Sequence, residues 1–309
     1  NQGIYTGDAI KEGVMQLIYQ VSPEDTPLLN LIGSGRATNV KHEWLTRTRG
    51  ARAGSAGVTD AVPPGDDVSG SNLADFLNVA RPSRDVNYCE IFRQLIYIDE
   101  TTAAMNHHGI NDLMGDQIDF RATDFAITIE NACFNGTQNA GPATASATTA
   151  WQMGGFASEI TTNTRDEGGA GSLTEAEFNT ELDDAWVNGA KPQDLFSGPF
   201  VRGVLNAYAG GTVTKYLETR EKAVFNTVDV YESSTQNLFL HLSRDINNTA
   251  GSADLYIIDR TFCRIMWLRE PFIEKLPRTR GADMARLEGQ CTLEFGDESA
   301  HIEITDILA

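Results

Sequence analysis

Residues 39–98 constrain the fold most: strand-like alternation, then a stretch unable to build a core, then strand-like alternation again. Val40, His42, Trp44 and Thr46 alternate with Lys41, Glu43, Leu45 and Arg47. That period of two sends successive side chains to opposite faces of a strand. Gly, Ala, Ser, Pro and Asp dominate residues 50–71, and apolar strand character returns from Leu77 to Ile98 in LNVARPSRDVNYCEIFRQLIYI. The order predicts a long two-stranded ribbon with a mobile tip. A lone two-stranded ribbon is marginally stable in water at best, so this one should draw support from outside its own subunit.

Charge sharpens that expectation. The chain carries 43 acidic and 24 basic residues, a net charge of −19. Each phosphate contact needs a basic side chain, so nucleic acid is a poor main partner. The ribbon departs from the average: between Arg36 and Arg52 stand Arg36, Lys41, Arg47, Arg49 and Arg52 against Glu43 alone. A basic finger on an acidic body is self-complementary between copies, and the planar guanidinium fork matches carboxylates bidentately. Each exposed pair contributes only ~0–1 kcal/mol, but the same pair repeated around a closed array becomes decisive.

No apolar run approaches the ~18 residues of a membrane helix, and the start, NQGIYTGDAIKEG, lacks a basic-then-apolar signal pattern. Asn1 where an initiator Met would stand raises the expectation of processing or of missing leading residues. Cys89, Cys133, Cys263 and Cys291 lie far apart with no C-x-x-C pair, as expected of reduced, buried fillers in an intracellular chain.

Elsewhere the pattern mixes helices and strands, an α+β class. Ile10, Val14, Leu17, Ile18 and Val21 recur at helical spacing; a second short helix is expected in VSPEDTPLLNLIGSG, with Ser22 as cap, Pro23 at the first helical position and Gly33 and Gly35 as its end. Residues 110–136 form the strongest helix signal. Ile110, Leu113, Met114, Ile118, Phe125, Ile129 and Cys133 trace one stripe, Asp112, Asp116, Asp119, Asp124 and Glu130 lie largely off it, and Gly136 is the stop. A small-residue connector covers 136–150. SLTEAEFNTELDDAWVNG reads as a helix capped by Ser172 or Thr174 and ended by Gly189, and LFSGPFVRGVLNAYAG as strand, turn and helix. Thr227 to Ile258 alternates like strands, and the C-terminal part is strand-rich with a hairpin expected at Gly296-Asp297-Glu298.

Catalytic constellations are absent from the sequence. There is no G-x-S-x-G, H-E-x-x-H or phosphate loop ending in Gly-Lys-Ser/Thr. GGAG at 168–171 lacks a preceding apolar strand, and DINNTAGSAD places Ala250 and Tyr256 where a calcium loop needs Gly and Glu. His107 and His108 with Asp112 make the best metal candidate, because positions 108 and 112 share a helical face, but no third ligand stands at a recognisable spacing. The carboxylates of 166–184 read as a solvated face. No catalytic residue, metal or cofactor is expected, and a chain this long without such a constellation points to structure.

Several separated motifs also resemble, in order, a family of tailed-phage major capsid proteins with the Hong Kong 97-type shell fold. They are VSPEDTPLLNLIGSG, VARPSRDVNYCEIFRQ, the acidic helix ending NACFNG, WQMGGF and LEFGDESAHIEI. The resemblance runs from about residue 10 to 308. It implies an N-terminal arm over 1–38 with Pro23, Leu28 and Leu29 as contacts. It implies an extended loop over 39–88 that lies on an adjacent subunit through Trp44, Arg47, Arg49 and Arg52. A peripheral domain with a spine helix would take 89–136 and 259–295, and an axial domain 137–258 and 296–309. The implied product is a self-assembling shell of pentamers and hexamers, icosahedral, enclosing DNA without sequence-specific binding, with portal, scaffold and decoration proteins as further partners. It would be made in the host cytoplasm and reside in the virion, with no membrane. Some members of this fold weld subunits through a Lys–Asn bond; here the loop tip carries arginines instead, and Lys41 sits only at the ribbon's base. The alternatives are an encapsulin-like compartment and a soluble metal-dependent enzyme built on His107, His108 and Asp112.

Overall fold

The computed structural model describes residues 26–47, 82–105, 112–141, 149–168, 172–208, 230–233, 235–279 and 281–308. The helix expected over 10–21 and the Ser22–Pro23 start lie outside them, as do the loop tip, His107 and His108. Helix α1, Pro27–Leu31, uses Pro27 at its first turn, where a missing N–H costs nothing. Gly33 and Gly35 do not end it; they belong to strand β1, Gly33–Arg36.

Strands β2 (Lys41–Thr46) and β3 (Ser83–Tyr88) pair antiparallel, Lys41 opposite Tyr88 and Thr46 opposite Ser83. Alternation in β2 is as the sequence predicts, with His42, Trp44 and Thr46 half-buried and Lys41, Glu43 and Leu45 exposed. After Cys89 the chain enters β4, Glu90–Asp99, and then the short helix α2, Glu100–Ala104, capped by Asp99.

Helix α3, Leu113–Asn135, is the long helix, roughly 34 Å at 1.5 Å per residue. Its buried side chains are Phe125, Ile129, Glu130, Cys133 and Phe134, so the apolar stripe holds in the C-terminal half. Glu130 is a correction: expected off the stripe, it is wholly buried. The Gly136 stop works by close approach, not by a left-handed backbone (φ −60°). A side chain there would collide with the carbonyl oxygens of Ala132 and Met153.

Then come β5 (Asn139–Ala140), β6 (Trp151–Gln152), α4 (Phe156–Glu159), β7 (Thr164–Asp166) and α5 (Glu175–Val187). Thr174 caps α5 in a reciprocal box with Glu177, and Gly189 takes φ +98° just past its end. The rest is β8 (Asp194–Ser197), α6 (Pro199–Tyr208), β9 (Val230–Glu232), β10 (Asn237–Leu242), β11 (Ala253–Ile258), β12 (Cys263–Thr279), β13 (Ala282–Phe295) and β14 (Ile302–Ile307).

Two main sheets result, ordered β1-β12-β13-β4 and β7-β14-β11-β8-β10-β9. The hairpin expected at Gly296–Glu298 is therefore overturned: β13 and β14 lie in different sheets. Gly296 donates to the Phe262 carbonyl at 2.6 Å, and Asp297 caps a 3-10 turn, Glu298–Ala300, that carries the chain across. Glu298 braces that crossing by accepting the N–H groups of Thr161 and Thr162, both at 3.0 Å. The true C-terminal hairpin joins β12 to β13, with Thr279 opposite Ala282.

Two apolar cores meet at the middle of the six-stranded sheet. One gathers Leu28, Phe92, Phe125, Phe134, Phe156, Leu287 and Leu293 between α3 and the four-stranded sheet; the other gathers Phe178, Leu182, Val201, Leu205, Leu238 and Ile304 beneath α5 and α6. Strands β8 and β11 alternate between them: Phe196, Tyr256 and Ile258 face the first core, Leu195, Leu255 and Ile257 the second. All four cysteines are buried free thiols inside the first core, and burial pushes the Cys89 thiol up to about 11.

Candidate intersubunit contact surface

The ribbon's base is fastened at three points. Asn87, fully buried, donates from its amide to the carbonyls of Gly154 (3.0 Å) and Leu293 (2.8 Å) and accepts from the N–H groups of Gly154 and Tyr88, both at 2.8 Å. His42 Nε2 lies 2.6 Å from Glu294 Oε2, and this contact holds the Glu294 carboxyl below the usual range against the opposing effect of burial. Gln138 donates to the Val86 carbonyl at 2.6 Å. Across the outer face, Glu43 joins Lys41 (2.5 Å) and Arg84 (3.2 Å).

Beyond that base the ribbon is open. Leu45 is 69% exposed and Arg47 is exposed; Arg49 and Arg52 lie outside the described residues. Trp44 is half-buried against the first core, with its Nε1 buried and without a partner among the described residues. Of the expected arm contacts, Leu28 is fully buried in this subunit's own core and Leu29 packs against it, while Pro23 lies outside the described residues. The Glu130 carboxylate explains why a charge is tolerated there: its Oε2 accepts the Leu29 N–H at 3.3 Å, tying α1 to α3.

The metal candidate dissolves as far as it is described. Asp112 is the N-cap of α3, its Oδ1 accepting the Met114 N–H at 3.1 Å, and no metal-holding cluster of His, Cys, Asp or Glu occurs among the described residues. The acidic face of 166–184 is a partial correction. Arg165 gathers Glu167, Glu177 (2.7 Å) and Glu181 (3.3 Å), which ties β7 to α5, while Asp183 and Asp184 stay exposed. His301 is buried between Phe156 and Phe295 and kept neutral, its pKa pushed down by burial to about 4. Asn87, Glu130 and Glu294 carry no sequence signal for these roles, because their partners are 67 to 252 residues away.

Comparison with known proteins decides what this architecture is. A family model described as SU10 major capsid protein matches residues 2–308. The chain belongs to the SU10 major capsid protein family. It is a major capsid protein of the tailed-phage kind. Solved structures agree on the fold. A chain of Mycobacterium phage Ogopogo superposes with a TM-score of 0.63 at 10% identity, covering 96% of this chain and 97% of that one. The capsid of a native GTA particle gives 0.60 at 11%, covering 100% and 97%. A holo-SrpI encapsulin complex from Synechococcus elongatus gives 0.60 at 8%, covering 97% and 92%. At such identities these likenesses show the Hong Kong 97-type fold alone. No curated protein matches the sequence significantly.

Proposed function

We propose that this capsid protein acts without catalysis, forming pentamers and hexamers that close into an icosahedral shell around a DNA genome. The carrying observation is the family match over residues 2–308; the ribbon, anchored at Asn87 and open from Leu45 onward, supplies the contact. In this reading residues 1–38 are the arm and 39–88 the loop resting on a neighbour. The four-stranded sheet and α3 (89–136 and 259–295) form the peripheral domain, and the six-stranded sheet (137–258 and 296–309) the axial domain. The basic loop residues Arg47, Arg49 and Arg52, with Trp44 at the ribbon's root, meet acidic surface on the next copy, and Pro23, Leu28 and Leu29 set the path of the arm.

An acidic lumenal surface would keep the packaged DNA from adhering, so DNA is enclosed without sequence-specific contact. Portal, scaffold and decoration proteins complete the particle, which assembles in the host cytoplasm and resides in the virion. The test is the triple charge reversal Arg47→Glu, Arg49→Glu, Arg52→Glu. Particle yield should collapse while the subunit's circular dichroism and melting stay unchanged; normal particles at normal yield would sink the electrostatic contact. The encapsulin likeness supports a second reading, a protein compartment. Material copurifying with native particles separates the two: genome in one case, an enclosed enzyme in the other.

A further inference from the structure

The open face of the four-stranded sheet carries a charge pattern opposite to that of the chain as a whole. Residues directly opposite across neighbouring strands share a face, and the register sets Arg93 opposite Glu288, Leu95 opposite Arg286, and Ile91 opposite Gln290. On the other side Phe272 stands opposite Glu288, Glu274 opposite Arg286, and Arg269 opposite Gln290. At the centre the Glu288 side chain is only 3% exposed, with Arg93 at 2.7 Å, Arg269 at 2.9 Å and Arg286 at 3.7 Å. Burial by itself would raise the Glu288 carboxyl, yet the arginines hold it below its ordinary value.

Those three guanidiniums remain 54%, 43% and 31% exposed. Each has five N–H donors, and the acceptors beneath them are few: Glu288, Glu274 at 2.7 Å from Arg286, and the Gln290 amide oxygen at 3.2 Å from Arg269. Donors are left over, and positive charge exceeds negative on this face of a chain with net charge −19. Ile91, Leu95, Tyr97 and Phe272 are exposed beside them, and β4 is an edge strand.

We infer that this face, with Arg93, Arg269 and Arg286 poised on Glu288, receives the acidic half of the extended loop, residues 53–80, from a second copy of the chain. The segment has the complementary chemistry: Asp60, Asp66, Asp67 and Asp75, no Lys or Arg, and Val62, Val68, Leu73 and Phe76 interspersed. The loop's charge is therefore divided, its basic residues ending at Arg52 and its acidic ones beginning at Asp60. Two unlike patches on one chain make a head-to-tail contact, which closes into rings. The inference rests on the capsid reading and adds the address on the neighbour.

The test is disulfide trapping, since all four native thiols are buried and silent to mild oxidants. In the double variant Arg93→Cys with Asp66→Cys, Arg269 and Arg286 still satisfy Glu288. Oxidised particles should run on denaturing gels as a ladder of covalent multimers, and the dilute subunit should not. The control, Asp184→Cys on the exposed face of α5 paired with Asp66→Cys, should give no ladder. A separate variant, Asp60, Asp66, Asp67 and Asp75 all changed to Asn, leaves the arginine cluster untouched and should weaken subunit association by about tenfold or more. Monomer only, an intrachain product only, an equal ladder in the control, or unaltered assembly of the Asn variant would each overturn the inference. Failure of the unmodified chain to form any particle would overturn the capsid reading itself, and this inference with it.

Discussion

Strand β2, at the root of the ribbon, and strand β11, in the middle of the six-stranded sheet, follow the same period of two in opposite circumstances. In β2 one face is half-covered and the other is open, so no side chain of Lys41–Thr46 is fully buried. In β11 both faces are covered by different cores, so Leu255, Tyr256, Ile257 and Ile258 are all buried. The middle strands therefore hold the subunit together from within, whereas the ribbon is built to be finished by something else. A shell protein needs both: a body that survives alone, and an extension that pays its ordering cost only on contact.

The most forceful way to break this contrast is to empty one side of a middle strand. Phe196 is 1% exposed and packs against Phe134, ring centroids 5.7 Å apart, in the core that the two sheets share. Phe196→Ala should cost about 3–5 kcal/mol of unfolding free energy, read from the denaturant midpoint, and should lower unfolding cooperativity by loosening one sheet from the other. A loss below about 1 kcal/mol would mean the two cores are not mechanically joined at β8.

Next in size is the ribbon's anchor. Asn87→Ala strands the Gly154 N–H and the Gly154 and Leu293 carbonyls, whose only printed side-chain partner is that amide. Leaving such buried groups unsatisfied costs roughly 1–3 kcal/mol each before relaxation, so about 2–3 kcal/mol in total is expected. Hydrogen exchange should accelerate in β2 and β3 and leave β8 and β11 unchanged. Exchange that speeds up equally everywhere would show that the ribbon's base is part of the common core after all.

These two sites also show what could be read before any coordinates. Strand β2 was legible because one open face leaves a polar–apolar alternation, and α5 because Thr174, Glu177 and Gly189 mark its ends locally. The α3 stripe was legible except at Glu130, whose partner is the backbone of a residue 101 positions earlier. The false hairpin at Gly296 has the same cause. Glycine, Asp297 and two flanking strands make a turn signal, but whether those strands pair or part is decided by Phe262 and Glu298 contacts distant in sequence. For the contact surface, the basic residues were visible one by one, whereas the arginine cluster on Glu288 exists only once β4, β12 and β13 are in register.

A smaller effect sharpens the comparison inside the six-stranded sheet, where burial meets charge. Burial raises the Glu303 carboxyl to about 7 and that of Asp254, near Asp306, to about 6. Both groups bind a proton more tightly folded than unfolded, so stability falls as pH rises from about 4.5 to 7 and is flat above. His301 opposes this: buried neutral, it loses stability as pH falls from about 6.5 towards 4. Glu303→Gln removes only the first contribution. Its melting temperature minus that of the unmodified protein should therefore grow steadily across pH 4.5–7 and then stay constant. A pH-independent difference would show that Glu303 does not titrate in that window.

The smallest expected effect on the subunit is the most telling for assembly. Leu45 is 69% exposed at the end of β2, so Leu45→Ser should change subunit stability by less than about 0.5 kcal/mol. The same substitution removes an apolar side chain from the part of the ribbon that a neighbour is proposed to cover, where burial is worth about 25 cal/mol per Å². Particle formation should thus need a higher subunit concentration, with melting of the isolated chain unaltered. If yield and melting shift together, Leu45 serves its own subunit's fold. If neither shifts, the covered part of the ribbon begins further along than Leu45, and the boundary between body and extension moves outward accordingly.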